Sequence, residues 1–391
     1  MRKIILTAAL TCATLCFGQK AETIETFAAN NHETKWYKVQ AQAWQEEVNE
    51  HPSDQWAWRN LFRATYYFDQ FSEGFGEDQD VSRTADIIRK MQATLPDSYV
   101  LNLCTARFCL SSDSAALRGD NIYRAIGLMP EDACAEDIDY LAARLWGIDP
   151  ENPKIAELNK KTYQQSYYPE RILRYNWNML QSMEPDALYF ANGDNLTKPM
   201  KTLQDALNER KDVKVIPLSF LWLDDFRDAL CRQIGVKPIK IDEADYWKYG
   251  KDMTRHFYTD VIMYLLRESK RSTYFFSDIL SLTDISKDNL YNEGLLLKYS
   301  DHPYDNFSVA MHNVKEVYHL EYLAEPNLMP SKWETSDRLD LNCVVLLSNL
   351  VSKLRAKGEE SESQRLYAIL EKCLERHPEG TIYREILEKE K

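Results

Sequence analysis

Residues 184–218 read EPDALYFANGDNLTKPMKTLQDALNERKDVKVIPL and alternate between apolar and polar segments. The short apolar run at residues 186–191 predicts a strand, and residues 213–218 predict a second one. Between them lie a loop containing Gly193 and a helix over residues 199–210, with Pro199 in its first turn. Strand, loop, helix and strand in this order predict a βαβ unit with two parallel strands and a right-handed crossover.

The segments around this unit extend it into a small α/β module over residues 169–300. A helix is predicted before it at residues 169–183, and a long helix follows at about residues 246–269. Short apolar runs at residues 273–277 and 294–299 predict a third and a fourth strand. Helices that alternate with strands are typical of a mostly parallel sheet.

Residues 36–168 are predicted to be helical, with short proline-containing turns between the helices. Pro96 and Pro130 are separated by 34 positions, the period of tetratricopeptide repeats. The first helix carries a largely apolar stripe at helical spacing, which favours a core between helices over a ligand groove: Trp58, Leu61, Phe62, Thr65 and Tyr66. We therefore expect tetratricopeptide-like hairpins, with an irregular helical domain as the alternative.

Residues 301–391 are predicted to be helical again, as one more repeat-like hairpin. Its helices span about residues 339–357 and 361–376. Gly358 lies where a left-handed residue would end the first of them. The expected fold class is thus mainly α, with tetratricopeptide-like helical hairpins flanking a small α/β module.

Composition excludes two classes of protein. The 391 residues carry 48 Lys and Arg against 61 Asp and Glu, a formal charge of -13, so nucleic acid is an unsuitable partner. The mean hydropathy of -0.51 excludes a multi-spanning membrane protein.

The first 18 residues predict a secretory signal peptide, and residues 19–35 a flexible leader. Arg2 and Lys3 precede a mostly apolar stretch at residues 4–17, and Gly18 precedes the expected cleavage position. We therefore expect an exported protein, periplasmic or on the periplasmic face of the outer membrane, with no transmembrane span in the mature chain. A short N-terminal anchor and a lipoprotein attached at Cys12 or Cys16 are the alternatives.

The central and C-terminal segments resemble a known family. The matching stretches are residues 184–190, residues 193–197 (Gly-Asp-Asn-Leu-Thr), residues 212–216, residues 273–276 and residues 289–295. In this order they are similar to the soluble C-terminal region of bacterial multi-spanning membrane proteins related to protein O-mannosyltransferases. The resemblance covers residues 168–385 and implies a glycosyltransferase-related module.

This chain departs from that family at two points. The family's catalytic acid is associated with a membrane-embedded half, whereas the N-terminal part here is predicted to be soluble helix, so transferase activity is not implied. Leu196 and Lys198 also replace family residues in the Gly-Asp-Asn stretch, where the second acid is missing. We expect no catalytic residue, no metal and no cofactor.

The best candidate for ligand binding is the loop with Gly193, Asp194, Asn195 and Thr197. It follows the first strand, where ligands bind in open α/β sheets. Its carboxylate and amide groups suit sugar hydroxyls or a hard cation. The alternative is that these side chains cap the next helix and tie down the turn. Asp224 and Asp225 form a second candidate, with solvated acids at a helix start as their alternative.

Four cysteines are candidates for disulfide bonds in an oxidising compartment. Cys104 and Cys134, and likewise Cys343 and Cys373, are separated by spacings that suit neighbouring antiparallel helices. The alternative is that they are buried thiols that pack as small apolar groups.

Two functions follow as hypotheses. The first is an exported, non-catalytic interaction scaffold or accessory protein of the bacterial cell envelope, with an envelope protein as its partner and a groove lined by aromatic residues within residues 36–168. The second is a glycan-binding or glycosyltransferase-related module that acts through the loop Gly193-Asp194-Asn195.

Overall fold

The computed structural model describes residues 20–27, 29–72, 81–108, 115–325, 334–377 and 381–389. The predicted signal peptide at residues 1–18 lies outside them. Contacts divide the described residues into two compact units, of which the first comprises residues up to 24 and from 32 to 108 and the second residues from 25 to 31 and from 115 onward. The domain boundaries at residues 35, 168 and 300 stay predictions from sequence pattern.

The first unit is built from helices. Its described helices are α1 (Thr34–Glu50), α2 (Gln55–Ser72), α3 (Ser82–Thr94) and α4 (Tyr99–Phe108). The predicted apolar stripe lies on α2, where Trp58, Leu61 and Phe62 are buried in the core of the unit. The interpretation of this stripe as core between helices is confirmed.

The turns of this unit show why the helices begin where they do. The N–H of Trp56 donates to Asp54 Oδ1 at 2.8 Å, and the N–H of Leu101 donates to Ser98 Oγ at 3.2 Å. Each side chain satisfies an N–H group that the first helical turn leaves without a partner. Residues 20–24 pack against these helices, since Ile24 is fully buried and its N–H donates to Asn60 Oδ1.

The second unit contains a sheet and the remaining helices. Its helices are α5 (Ala115–Gly127), α6 (Ala135–Ile148), α7 (Lys154–Gln164), α8 (Glu170–Ser182), α9 (Asp194–Leu207), α10 (Asp224–Ile234), α11 (Ala244–Trp247), α12 (Met253–Ser269), α13 (Ile279–Leu282), α14 (Asn306–His312), α15 (Glu334–Ala356), α16 (Glu360–Arg376) and α17 (Thr381–Lys389). Among the described residues, no helix has both the length and the apolar character needed to cross a bilayer.

Five short strands form the sheet in the order β2-β1-β3-β5-β4. They are β1 (Leu188–Ala191), β2 (Lys214–Pro217), β3 (Thr273–Phe275), β4 (Leu290–Asn292) and β5 (Leu297–Tyr299). β1 pairs in parallel with β2 and β3, as the βαβ pattern predicts. β5 runs antiparallel to β3 and to β4, so the sheet is mixed.

The expected fold class is confirmed, with three local differences. The helix predicted over residues 199–210 spans Asp194–Leu207 instead, so Pro199 lies inside it rather than in its first turn. The predicted fourth strand is shorter, since residues 294–296 form a buried turn with Gly294 at φ +119°, and the partner strand β4 was not predicted. The predicted helix at 246–269 begins only at Met253, because Gly250 at φ +54° interrupts the helical path. Gly358 has φ +74° and ends α15, as expected.

Candidate functional site

The carboxyl ends of β1 and β3 form the edge of the sheet where a ligand site is expected. The chain leaves β1 through α9 toward β2 on one side, and β3 lies on the other side of β1. The strand order therefore reverses between β1 and β3, and open α/β sheets bind ligands at such a switch point. The residues that follow β1 and β3 are the first to consider.

The loop after β1 is held by its own hydrogen bonds. Gly193 has φ +102°, a conformation that favours glycine, and a Cβ there would meet no atom within 4 Å. Thr197 Oγ1 donates to the carbonyl of Gly193 at 3.2 Å. The side chain of Asn176 donates to the carbonyl of Asn195 at 2.9 Å. Three of these predicted site residues thus take part in shaping the turn.

Asp194 belongs to an ion network with residues of other helices. Lys198 Nζ lies 2.7 Å from Asp194 and 3.4 Å from Asp139, and the Tyr168 hydroxyl donates to Asp139. Burial by itself would lower the pKa of Lys198. The nearby carboxylates of Asp194 and Asp139 have the larger combined effect and raise the pKa of Lys198. Burial raises the pKa of Asp139. Lys198 therefore ties α9 to α6 through Asp139, and Asp194 shares the same ammonium group from the first turn of α9.

The second predicted pair lies elsewhere. Asp224 and Asp225 are exposed in the first turn of α10, where negative charge interacts favourably with the helix dipole. Asp224 forms an ion pair with Arg227, whose Nη1 donates to the carbonyl of Leu221. Asp224 pairs within α10, whereas Asp194 pairs within α9 with Lys198, which also contacts Asp139 of α6, so these ion pairs do not join the two predicted clusters.

A cavity of about 580 Å³ opens beside the carboxyl end of β3, which is within the usual size range of small-ligand pockets. Its walls come from the residues after β3, the β4–β5 turn, α14 and α15. Polar lining groups are Ser277, Asn292, Asn306, Asn342, Asn349 and Lys353, and large apolar ones are Phe276, Phe307, Leu295, Leu296, Leu297, Val345, Leu346 and Leu350. Sequence reasoning did not identify this cavity, because its lining comes from several distant segments.

Asp278 connects this cavity to the loop after β1. It follows the lining residue Ser277, and the backbone N–H of Asn192 donates to its carboxylate. Burial raises the pKa of Asp278 to about 6. The signal in the sequence was an acid placed directly after a predicted strand.

Asp278 should make stability depend on pH. Its folded-state pKa exceeds the ordinary value of 3.8, so ionisation costs stability as pH rises from about 4 to about 6. We expect Asp278→Asn to raise the free energy of unfolding by about 1–2 kcal/mol at pH 7.5, where Asp278 is ionised. This value allows for the solvent that screens part of the cost of burying the charge. At pH 4 the substitution should change the free energy of unfolding very little.

Urea unfolding at both pH values measures this difference. Asp305→Asn is the control, because Asp305 accepts hydrogen bonds from Ser308 that lower its pKa, and its pH dependence should have the opposite sign. If Asp278→Asn raised the free energy of unfolding equally at pH 4 and pH 7.5, ionisation of Asp278 would not be the cause of the gain in stability.

A second cavity of about 300 Å³ lies beside β2 and α9. Lys201 Nζ lies 2.6 Å from Asp205, and Asn159 Nδ2 donates to the same carboxylate at 2.7 Å. The carboxylate of Asp205 is thus already bound by two groups of the protein, which makes this cavity a weaker candidate for a ligand site than the first one.

A buried cluster of Asp340, Cys373 and His377 supplies donor atoms suited to a metal ion. One such atom from each residue lies within 4.8 Å of the others. Sequence reasoning expected no metal, and missed this cluster because Asp340 lies on α15 and the other two residues on α16 or at its end. The signal was the spacing of Cys373 and His377, which places both on one face of a helix.

The structure has Cys343 and Cys373 as separate thiols, both fully buried. Burial raises the pKa of each thiol, to about 11 for Cys373. Cys104 is buried and Cys134 is partly buried. Both disulfide pairings stay predictions.

Comparison with known proteins matches one part of the chain. No curated protein and no solved structure matches it. Residues 173–326 match the family model described as TMEM260-associated domain 2. The matched region contains all five strands, the loop after β1, and α14 of the cavity wall. The match is consistent with the resemblance of this region to a TMEM260-like family related to protein O-mannosyltransferases.

Proposed function

We propose that the second unit is a non-catalytic module that binds a glycan in the cavity beside β3. The observation that carries this proposal is the composition of the cavity wall, where amide side chains accompany two phenylalanine rings. We further propose that the chain acts as an exported accessory protein of the cell envelope.

The wall chemistry fits a saccharide. Amide groups both donate and accept hydrogen bonds, which matches the hydroxyl groups of a sugar. Phe276 offers apolar surface to the C–H face of a sugar ring, and Phe307 lies at the same wall with Lys357 Nζ 3.9 Å from its ring centre. Lys353 Nζ lies 5.3 Å from the centre of the Phe307 ring and adds one positive charge at the same wall.

Binding is favoured over turnover by the groups that line the cavity. Glycoside chemistry commonly uses a pair of carboxylic acids that flank the reacting bond. The lining residues instead supply amides, a hydroxyl, apolar surface and a lysine. Asp278 and Glu293 adjoin lining residues in the chain, but neither lines the cavity, and Glu293 accepts a hydrogen bond from the Tyr304 hydroxyl. The family match supports the proposal, since the related family concerns sugar transfer.

The interaction scaffold is the weaker proposal on this geometry. The scaffold hypothesis predicted a groove lined by aromatic residues within residues 36–168. Trp44, Trp58 and Phe62 of the first unit instead lie in its core, although Trp56 and Tyr123 are exposed.

Titration of the purified chain with a panel of glycans tests the proposal. We expect Asn349→Ala to weaken the binding of the recognised glycan about tenfold, because a sugar hydroxyl at the cavity wall would lose its hydrogen-bond partner. Asn49→Ala on α1 is the matched control, since Asn49 is also exposed on a helix and lies in the first unit. Binding that Asn349→Ala leaves unchanged, or no binding to any glycan of the panel, would refute the cavity as a glycan site.

A further inference from the structure

The cluster of Asp340, Cys373 and His377 lies in the hairpin of α15 and α16, and none of its three residues lines the cavity. All three side chains are buried, with 1% of Asp340, 0% of Cys373 and 4% of His377 exposed. Buried groups that can carry charge need a partner that offsets the loss of water. The function of the glycan cavity gives this cluster no role.

We propose that Asp340, Cys373 and His377 bind a zinc ion that fastens α15 to α16. Zinc is borderline-soft and takes thiolate sulfur, imidazole nitrogen and carboxylate oxygen, which are the three donors present. The site would be structural, because its ligands are buried and join two helices.

The spacing of the donors suits this metal. His377 Nε2 lies 3.7 Å from Asp340 Oδ2. Two ligands of a tetrahedral zinc ion, each about 2.0–2.3 Å from the metal, are separated by about 3.3–3.8 Å. The pair therefore needs little movement to share one ion, and Cys373 Sγ lies within 4.8 Å of both.

Two arginines next to Asp340 set the main cost of binding a cation there. Arg171 Nη1 lies 2.7 Å and Arg376 Nη2 3.5 Å from Asp340 Oδ2. Both contacts and the His377 distance fall on the same oxygen, Oδ2. A carboxylate oxygen has about two acceptor positions, so Oδ2 can accept from Arg171 and also bind a metal, while the Arg376 contact is too long to be a strong hydrogen bond. Both guanidinium groups also donate to the carbonyl of Glu325.

The arginines can therefore act as an outer layer of the site. Hydrogen bonds to a ligating carboxylate fix its orientation. Deprotonation of the Cys373 thiol on zinc binding adds a negative charge that offsets part of the cation, and the released proton passes to solvent.

The full chain, freed of metal with a chelator, tests the proposal with Zn²⁺ and Co²⁺ as probes. We expect one Co²⁺ per chain with a thiolate-to-metal absorption band. Cys373→Ser should remove this band, and His377→Gln should lower Zn²⁺ affinity at least about a hundredfold, since loss of an outer-shell partner alone costs 10–100-fold. Cys231→Ser is the matched control, because Cys231 is equally buried on α10 outside the cluster.

Alkylation followed by mass spectrometry gives a second measurement on the unaltered chain. Zn²⁺ should protect Cys373 but leave the reactivity of Cys231 unchanged. A folded wild-type chain that binds neither ion, or in which Zn²⁺ does not protect Cys373, overturns the proposal even if the variants fail to fold. If the metal-free chain still binds the recognised glycan, failure of the zinc proposal would leave the proposed glycan binding intact.

Discussion

Arg171→Met should lower the free energy of unfolding of the second unit by about 3–5 kcal/mol. Arg171 on α8 pairs with Asp340 on α15 at 2.7 Å, and 8% and 1% of these two side chains are exposed. Removal of one partner leaves a buried charge with less compensation, which is far more costly than the loss of a surface pair. Urea unfolding of the metal-free chain, followed by circular dichroism, measures the change.

Arg174→Met is the matched control for this experiment. Arg174 lies on the same helix and pairs with Glu170 at 2.7 Å, but 43% of its side chain is exposed. The loss of such a pair should cost less than about 1 kcal/mol. Equal effects of the two substitutions would show that burial of the Arg171–Asp340 pair is not what makes it important.

Gly294→Ala should destabilise the second unit by about 3–5 kcal/mol. A Cβ at this position would lie 2.5 Å from the Tyr318 hydroxyl, and φ is +119°. Backbone strain and overpacking each cost about 1–3 kcal/mol. Tyr318 is 5% exposed, and its hydroxyl accepts from the N–H of Leu295, so it cannot move aside freely.

Gly193→Ala separates the cost of backbone strain from the cost of overpacking. Chemical unfolding measures the free energy of unfolding of both variants. Gly193 has a similar φ of +102°, but a Cβ there meets nothing within 4 Å, so we expect only the strain cost of about 1–3 kcal/mol. In a Tyr318→Phe background, the cost of Gly294→Ala should fall, because the atom in the closest contact is gone. An unchanged cost in that background would rule out the contact with the hydroxyl as the cause.

The sequence predicts the elements whose burial pattern is local. β1, β3 and most of β2 are buried runs, and such runs are visible without any knowledge of the fold. β4 is only partly buried, so its residues do not form a buried apolar run. Its position follows from its pairing with β5, in which Tyr291 lies opposite Lys298. This explains why the strand Leu290–Asn292 was not predicted.

The candidate sites depend on contacts that pattern does not reveal. Asp194 follows β1 as predicted, yet its partner Lys198 is shared with Asp139 of α6, which ties the loop to a network of ion pairs. The cavity joins residues after β3 to residues of α15, and the buried pair of Arg171 and Asp340 spans 169 positions. Only the folded chain brings such groups together.

The pairing of β1 with β3 also sets the order in which the sheet can form. Leu188 pairs with Thr273, so this contact closes a long loop, whereas β4 and β5 pair across a short turn. Closing a long loop costs more entropy and slows folding. During synthesis the ribosome must release the chain well beyond Phe275 before β1 gains its second neighbour, so helper proteins that shield apolar strands would be needed most in that interval.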